Sequence, residues 1–432
     1  MAVNTTNAAS VNLYILTFNC GRALIDVNAF ASQLFDGLEP PMLQPPDLLV
    51  LSLQELAPIS HAFIGGSFLV PYFQRFHDAV QSAAAIRNLG MTAIMVFARN
   101  PSAIQDIESA GVGVGMAEMG NKGAIGVRFT YGHGSESTEL TFVAAHLAAM
   151  EEEVLRRNQD WKNIVRGLVF SSSTKAPANT ASSAENRPLL SISPQDASIY
   201  KSTSHLFIAG DLNYRTSSMS PSPSDHIETF PQPHQDASSP KHISSLFERD
   251  QLNKERAAGR TLHGLTEWPV RFPPTYKYDS KEPFLTPDEQ LSKWHWAKHR
   301  WPSWCDRILY LEIPPWMDSH NNDFKLVAKR YTALPLQPTT DHRAVTINFR
   351  VSLIPIPKPG EEEETVSRDP RVHPPFDIDI NWKSRRDRAR TLELVVGFAA
   401  YFATTREGNI IVAATFVGIV GGFYVIKALL ME

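Results

Sequence analysis

Between residues 12 and 355 the chain alternates short, strongly apolar runs with polar stretches: NLYILTFN, DLLVLSLQE, MTAIMVFAR, AIGVRFTY, LTFVAAHL, HLFIAGDLN, RILYLEI, FKLVAKRYT and AVTINFRV. Runs of this length, rich in Val, Ile, Leu and Phe and apolar at nearly every position, are the pattern of strands covered on both faces. The stretches 22–35, 72–88, 151–170 and 243–258 have helical character instead. About nine strands with helices between them require an α/β layered fold. With 432 residues, 43% of them hydrophobic, the chain can bury one large core, placed here at 10–355.

Two stretches, 171–203 and 216–242, are rich in Ser, Pro, Ala and Asn and are expected to be disordered insertions on either side of HLFIAGDLNYR. Beyond the last strand, 356–390 reads as an extended charged linker closing in a basic segment with Lys383, Arg385, Arg386, Arg388 and Arg390. Residues 391–432 form a hydrophobic C-terminal membrane anchor. Its run 410–426, extended by Lys427 and Ala428 to Met431, reaches the ~20 residues that a helix needs to cross the hydrocarbon. Gly418, Gly421 and Gly422 suit a helix in lipid, and the basic segment fits the positive-inside rule. Leu392 to Ala403 is too short to span; it lies in the interface or forms the first arm of a re-entrant hairpin.

The N-terminal MAVNTTNAASVN carries no secretory signal, so the folded body is expected to face the cytosol. Cys20 and Cys305 fit free thiols in a reducing compartment. A net charge of −4 gives no global pull on a polyanion, so any such ligand must be met by local basic groups.

Polar residues recur where the apolar runs end: Asn19, Gln54 and Glu55, His146, Asp211 and Asn213, and Asp341 with His342 just before AVTINFRV. Singly each reads as a turn or a satisfied polar group; together, at the ends of different strands, they read as a site. The chemistry they allow is metal-assisted phosphoester hydrolysis. Glu55 can hold a hard cation such as Mg²⁺, which takes oxygen ligands and keeps several waters. Asp211 can orient or deprotonate the attacking water. His342 can donate to a phosphoryl oxygen, kept cationic by a neighbouring carboxylate, plausibly Asp306. Asn19 and Asn213 fix geometry without repelling phosphate. Cys305 lacks the phosphate-cradling C-x₅-R loop of cysteine phosphatases and reads as a core thiol.

GDLNYR and PSWCDRIL resemble the two signatures of the inositol polyphosphate 5-phosphatases, within the endonuclease/exonuclease/phosphatase superfamily. The resemblance runs in order through TFNCG, SLQEL, GNKGAIGVRF, AAHLAAMEEEVLRRNQDW, LFERDQLNKERAAGRTLHGLTEWPVRFPPTYKYD and TTDHRAV. It implies a two-layer β-sandwich flanked by helices, with the site at one edge. By position it gives Glu55 and Asn19 to Mg²⁺ with Asp341 in support, Asp211 to the water, Asn213 and His146 to the phosphate, and His342 with Asp306 to the transition-state charge. Asn121 and Lys122 of the GNKG loop would approach the 1-phosphate. Tyr276, Lys277, Lys298 and Arg300 would hold the 4-phosphate, with Arg307 of the second signature also on the substrate side. A set complete for the 4-phosphate implies phosphatidylinositol 4,5-bisphosphate. The apolar C-terminus resembles that of the tail-anchored fungal type that acts at the endoplasmic reticulum membrane with its catalytic domain in the cytosol.

The chain departs from the family pattern at Ile208 and Ala209, where an aromatic usually precedes GD, and in the two insertions. A nuclease of the superfamily would share the acidic and His groups, but no broad basic face for nucleic acid is evident. A silent lipid-binding protein would have lost one of Glu55, Asp211, Asn213 or His342. Soluble inositol polyphosphates are the alternative substrates.

Overall fold

The apolar runs pair into two six-stranded sheets. A computed structural model describes residues 9–38, 45–81, 84–172, 193–279, 284–317 and 324–431. Its strands are β1 Ser10–Asn19, β2 Leu48–Gln54, β3 Ala84–Leu89, β4 Thr92–Ala98, β5 Ile104–Gly113, β6 Gly123–His133, β7 Glu136–His146, β8 Ser171–Ser172, β9 Ser204–Asp211, β10 Asp306–Tyr310, β11 Leu326–Ala333 and β12 Val345–Ser352. The α-helices are α1 Val27–Gln33, α2 Ile59–Ile64, α3 Val70–Val80, α4 Val154–Gly167, α5 Pro194–Ala197, α6 Asp225–Glu228, α7 Ile243–Phe247, α8 Gln251–Ala257, α9 Glu361–Val366, α10 Trp382–Thr404 and α11 Arg406–Leu429. One sheet runs β11-β12-β1-β2-β4-β3, the other β10-β9-β7-β6-β5-β8.

Both sheets are covered on both faces, which accounts for the continuous apolar runs. Between them lies a core that includes Ile15, Val50, Val127, Phe142, Phe207 and Phe349. Outside the first sheet, Leu16, Phe18 and Leu51 pack under Phe30 of α1 and Phe76 of α3. Outside the second, Val143 and Ile208 pack under Trp161 and Ile164 of α4. The two-layer sandwich flanked by helices is therefore the observed fold. The strands that the apolar pattern did not mark, β3 in the first sheet and β5 and β8 in the second, lie at or beside an edge of their sheet, and β3 and β5 are mostly only part-buried. An edge needs less apolar surface, so 72–88 reads as helix although α3 ends at Val80 and β3 begins at Ala84.

Two expectations about unstructured segments are corrected. The stretch 216–242 is docked on the body: Phe230 is buried against Trp301 with ring centroids 5.4 Å apart, and Trp296 Nε1 donates to the Pro231 carbonyl at 2.6 Å. One aromatic anchor and its hydrogen bonds hold a segment whose composition suggests disorder. Most of 171–203 lies outside the described residues, but Pro194–Ala197 forms α5. The linker 356–390 is also packed. Arg371 is fully buried, donating to Asp369 Oδ2 and the Glu312 carbonyl, and from Trp382 onward the basic segment is the first part of α10.

α10 breaks at Thr405 and α11 follows, a 24-residue helix whose apolar 18-residue window has a mean hydropathy of 2.1 and is 0% buried. By length and composition it can cross a membrane.

The sheets converge at the C-terminal ends of the parallel pairs β1/β2 and β7/β9, joined by Ser52 Oγ donating to the Ala209 carbonyl at 2.8 Å. Next to that joint stands Gly210, where a Cβ would lie 2.0 Å from the Ala145 carbonyl oxygen. That neighbour is backbone and cannot turn aside. Gly210→Ala should therefore lower stability by about 1–3 kcal/mol or more, read as a lower urea midpoint of the full chain; an unchanged midpoint would contradict the tight β7/β9 approach.

Candidate active site

Strand register builds the centre of the site. Asp211, the last residue of β9, lies opposite His146 at the end of β7 and opposite Asp306 at the start of β10. Three residues far apart in sequence thus share one rung. Asn19 ends β1 of the facing sheet and donates from Nδ2 to Asp211 Oδ2 at 2.9 Å, closing the site across the sandwich. His342 enters from the loop before β12, its Nδ1 2.9 Å from Asp306 Oδ2, and Thr275 Oγ1 donates to the same oxygen at 2.7 Å.

Asp211 is 2% exposed. Burial opposes its ionisation, but His146, His342 and Lys122 outweigh it and hold the carboxyl well below the usual range. Its Oδ1 accepts from Asn213 N at 3.1 Å, and Asn213 Nδ2 donates to the Leu147 carbonyl. His342 behaves oppositely to a lone buried imidazole. Burial alone would keep it neutral, yet Asp306, Asp211 and Asp341 push its pKa up to about 9, so it is an imidazolium at neutral pH. Its partner Asp306 is raised by burial, against the lowering pull of His342. His146 is lowered by burial and by Lys122, and its Nε2 faces both Asp211 Oδ2 at 3.3 Å and the Lys122 ammonium.

Glu55 follows β2 with φ 46° and receives Arg22 on both oxygens, at 2.8 and 3.2 Å. Burial disfavours its charge, but His146, Arg22 and Lys122 together lower it. A carboxylate kept ionised, already holding one cation, with the Asn19 amide on the neighbouring strand end, suits a hard divalent metal. The Asp211, Asp306 and His342 ligand atoms also lie within 4.8 Å of one another. That group suits a metal less, because an imidazolium has no lone pair to give.

The residues expected on the substrate side sort into two groups. Lys277 Nζ donates to Asp341 Oδ2 at 2.5 Å and lies 5.3 Å from the ring centre of Tyr276; Arg300 NH1 donates to Glu151 Oε2 at 3.0 Å; Lys298 is exposed. Lys122 lies at the centre, its ammonium pulled down by burial and up by Asp211 and Glu55, and the Asn121 Oδ1 beside it is buried without a partner among the described residues.

Asp341 ion-pairs with Lys277, and its Oδ1 lies 3.8 Å from His342 Nε2. Arg307 is not at the substrate. Successive strand residues face opposite ways, and with Asp306 in the site Arg307 is fully buried between Glu267, two bonds of 2.6 Å, and Asp250 at 3.1 Å.

The model of Endonuclease/Exonuclease/phosphatase family 2 matches residues 16–348. The chain belongs to this family. Its relatives within the family include inositol polyphosphate 5-phosphatases. The inositol-1,4,5-trisphosphate 5-phosphatase 1 of Schizosaccharomyces pombe is 30% identical over 270 residues, 61% of this chain and 19% of that protein. The polyphosphatidylinositol phosphatase INP53 of Saccharomyces cerevisiae is 26% identical over 367 residues, 82% of this chain and 28% of that protein. The chain thus spans less than a third of the length of either. The 5-phosphatase domain of SPsynaptojanin, crystallised with inositol (1,4)-bisphosphate and calcium, shares the fold with a TM-score of 0.53 at 22% identity, covering 89% of this chain and 93% of that one.

The supports around the rung are residues that the sequence pattern does not single out. Arg215 sits inside the quoted GDLNYR, its NH2 donating to Asn213 Oδ1 and its guanidinium 4.3 Å from the Tyr276 ring centre. Thr275 lies likewise within the quoted PPTYKYD, and Arg22 directly follows TFNCG; the sequence does not show their partners.

Arg307→Met should lower stability by about 3–5 kcal/mol, since it strands Asp250 and Glu267 in the interior, while leaving substrate preference unchanged. Urea midpoints paired with relative rates on two phosphoinositides check both halves; altered preference at wild-type stability would restore a substrate role.

Proposed function

We propose that the chain removes the 5-phosphate of phosphatidylinositol 4,5-bisphosphate, using Mg²⁺ and leaving phosphatidylinositol 4-phosphate. The carrying observation is the buried, ionised Asp211 between His146 and the His342–Asp306 pair, with Lys122 beside it and Lys277 and Arg300 beyond. The 5-phosphatase relatives support the choice of reaction.

Glu55 with Asn19 would hold the metal, which when bound neutralises charge on the phosphoryl and leaving oxygens. Asp211, held far below the ordinary range, is a weak base. Its role is to hold the attacking water through a carboxylate oxygen and take the proton as the phosphoryl transfers, when that proton is most acidic. His342 donates from Nε2 to a phosphoryl oxygen, its charge maintained by Asp306 at Nδ1. His146 stays neutral. When phosphate draws the Lys122 ammonium away, its Nε2 is free to donate to Asp211 and steady that carboxylate. Lys277 and Arg300 already face acidic partners, so they are oriented before substrate arrives and would present the second phosphate with fixed donors. Lys298 adds an exposed positive group on the same segment.

The apolar α11 favours lipid over soluble inositol phosphates as the substrate met in place. We infer that it anchors the catalytic domain at the cytosolic face of a membrane, the endoplasmic reticulum by resemblance to the tail-anchored fungal type. Nucleic acid is not part of this reading: the net charge is −4, and the cations named here converge on one small site.

Phosphate release across a panel of phosphoinositides and soluble inositol phosphates, with product position identified, tests this directly. Release from a position other than 5 would overturn it. Lys277→Ala should cut kcat/KM about tenfold or more on 4,5-bisphosphates and much less on a substrate lacking the 4-phosphate. Equal losses on both would remove Lys277 from 4-phosphate recognition. The sign of the pH dependence follows from His342. Its cation would ordinarily be lost above pH 6.5 but persists up to about 9, so activity should fall only as pH rises through about 9. Asp306→Asn removes the anion that stabilises the cation and should move that limb down by about 1–2 pH units. A limb that stays in place would separate His342 from the alkaline loss of activity.

A further inference from the structure

The helix that leads to the membrane segment is bound to the loop that carries Lys122. α10 turns one narrow face to the body, with Ala389, Glu393 and Gly397 buried at successive intervals of four, while Leu392, Val395, Phe398 and Phe402 remain exposed on the other side. The inner face meets α2 closely: a Cβ at Gly397 would lie 2.9 Å from Phe63 Cβ and 3.1 Å from Ile64 N. Arg390 NH1 and NH2 donate to the carbonyls of Phe63 and Ile64 at 2.6 and 3.0 Å, satisfying the end of α2. Tyr401 continues the contact, its ring centroid 5.3 Å from that of Phe68.

At the middle of this face Glu393 is fully buried. Arg386 donates to both of its oxygens, at 2.8 and 3.2 Å, and Arg390 to Oε2 at 3.3 Å. Two cations would suffice to keep a carboxylate in place. Glu393 also reaches outside its own helix, where Oε1 accepts from Gly120 N at 2.8 Å. Arg385 pairs with Glu118 in the same loop. From Gly120 the bonding continues inward: its carbonyl accepts from Met91 N at 2.9 Å, and the Met91 carbonyl accepts from Leu56 N at 3.1 Å. Gly120 is two residues from Lys122, and Leu56 follows Glu55. A single side chain of α10 thus ends a hydrogen-bonded path that fixes both the loop bearing Lys122 and the backbone next to Glu55.

We propose that Glu393 is a positioning residue for the active site, and that docking of α10 through it couples the membrane-leading helix to the 116–122 loop. The inference rests on the 5-phosphatase reading for its assay, but not for its structural readout. In a chain whose α10 is undocked, Gly120 N loses its acceptor and the Lys122 loop loses its outer support, so substrate binding suffers before chemistry does.

The test uses the full chain in detergent with a water-soluble short-chain phosphatidylinositol 4,5-bisphosphate and Mg²⁺, which removes any effect of membrane recruitment. Glu393→Ala should speed amide hydrogen exchange in 115–122 and raise KM about tenfold, with kcat changed less. Glu393→Gln, whose amide oxygen can still accept from Gly120, should stay within about threefold of the wild type. Gly397→Leu, which forces α10 off α2 with Glu393 intact, should reproduce both changes of the alanine variant and decides the matter if that variant does not fold. Exchange and KM unchanged in Glu393→Ala or Gly397→Leu would overturn the proposal, as would a glutamine variant as impaired as the alanine one. A wild-type chain inactive on every phosphoinositide would refute the 5-phosphatase reading alone, because the exchange comparison would still decide the role of Glu393.

Discussion

The site depends on one rung of the second sheet, where Asp211 lies between His146 and Asp306. A buried carboxylate is costly to ionise unless donors and cations surround it. Here Asn19 reaches it from the opposite sheet, Asn213 N from the turn that follows, and His146 from the next strand. Each donor is placed by backbone geometry. A slip of one residue between β7 and β9 would turn Asp211 and His146 to opposite faces, so the apolar packing that fixes strand register also fixes the electrostatics. The Gly210 approach to Ala145 and the Ser52 bond to Ala209 sit within one or two residues of that rung and hold it where sheet meets sheet.

A second regularity is that several cations near the rung already face an anion: Arg22 is on Glu55, Lys277 on Asp341 and Arg300 on Glu151, while Asp211 and Glu55 both favour the charge on Lys122. Free positive side chains would repel one another and wander; paired ones keep their rotamers at modest energetic cost while solvated. Anionic substrate then exchanges partners with groups already in place. Arg22 is half exposed, so it would be free to leave Glu55 if a metal took its position, as proposed. This economy also explains how a chain with net charge −4 can receive a polyanion.

What the sequence made legible follows from where the physics is local. Strand-end polar residues after fully apolar runs are a local pattern, and Asn19, Glu55, His146 and Asp211 were readable from it. Arg307 was misread because it adjoins Asp306 within a motif; only the alternation of a strand, set against its unseen partners Asp250 and Glu267, reveals that it points away. The pairing of Asp341 with Lys277 was hidden for a similar reason, since adjacency to His342 does not say which cation it meets. The stretch 216–242 reads as a disordered loop because composition counts core formers, whereas one buried aromatic, Phe230 against Trp301, and hydrogen bonds at Pro231 and Gln232 dock it. The supports Arg215, Thr275 and Arg22 act through partners distant in sequence or buried in turns, which spacing does not record.

The same limit hid the most consequential contact of the C-terminal region. Basic residues before an apolar segment read as a juxtamembrane cluster facing lipid headgroups, and exposed Lys383 and Arg388 fit that role. Arg386 and Arg390 do not: they converge on buried Glu393, and Arg390 caps α2. A charged segment serving as a flexible tether would leave the catalytic domain free to tumble above the bilayer, with orientation to be found at each encounter. With α11 anchored as proposed, a docked helix with an apolar outer face would remove that search: it would hold the domain in one attitude to the plane in which Leu392, Val395, Phe398 and Phe402 would lie, so the loop bearing Lys122 would meet lipid headgroups from a fixed direction.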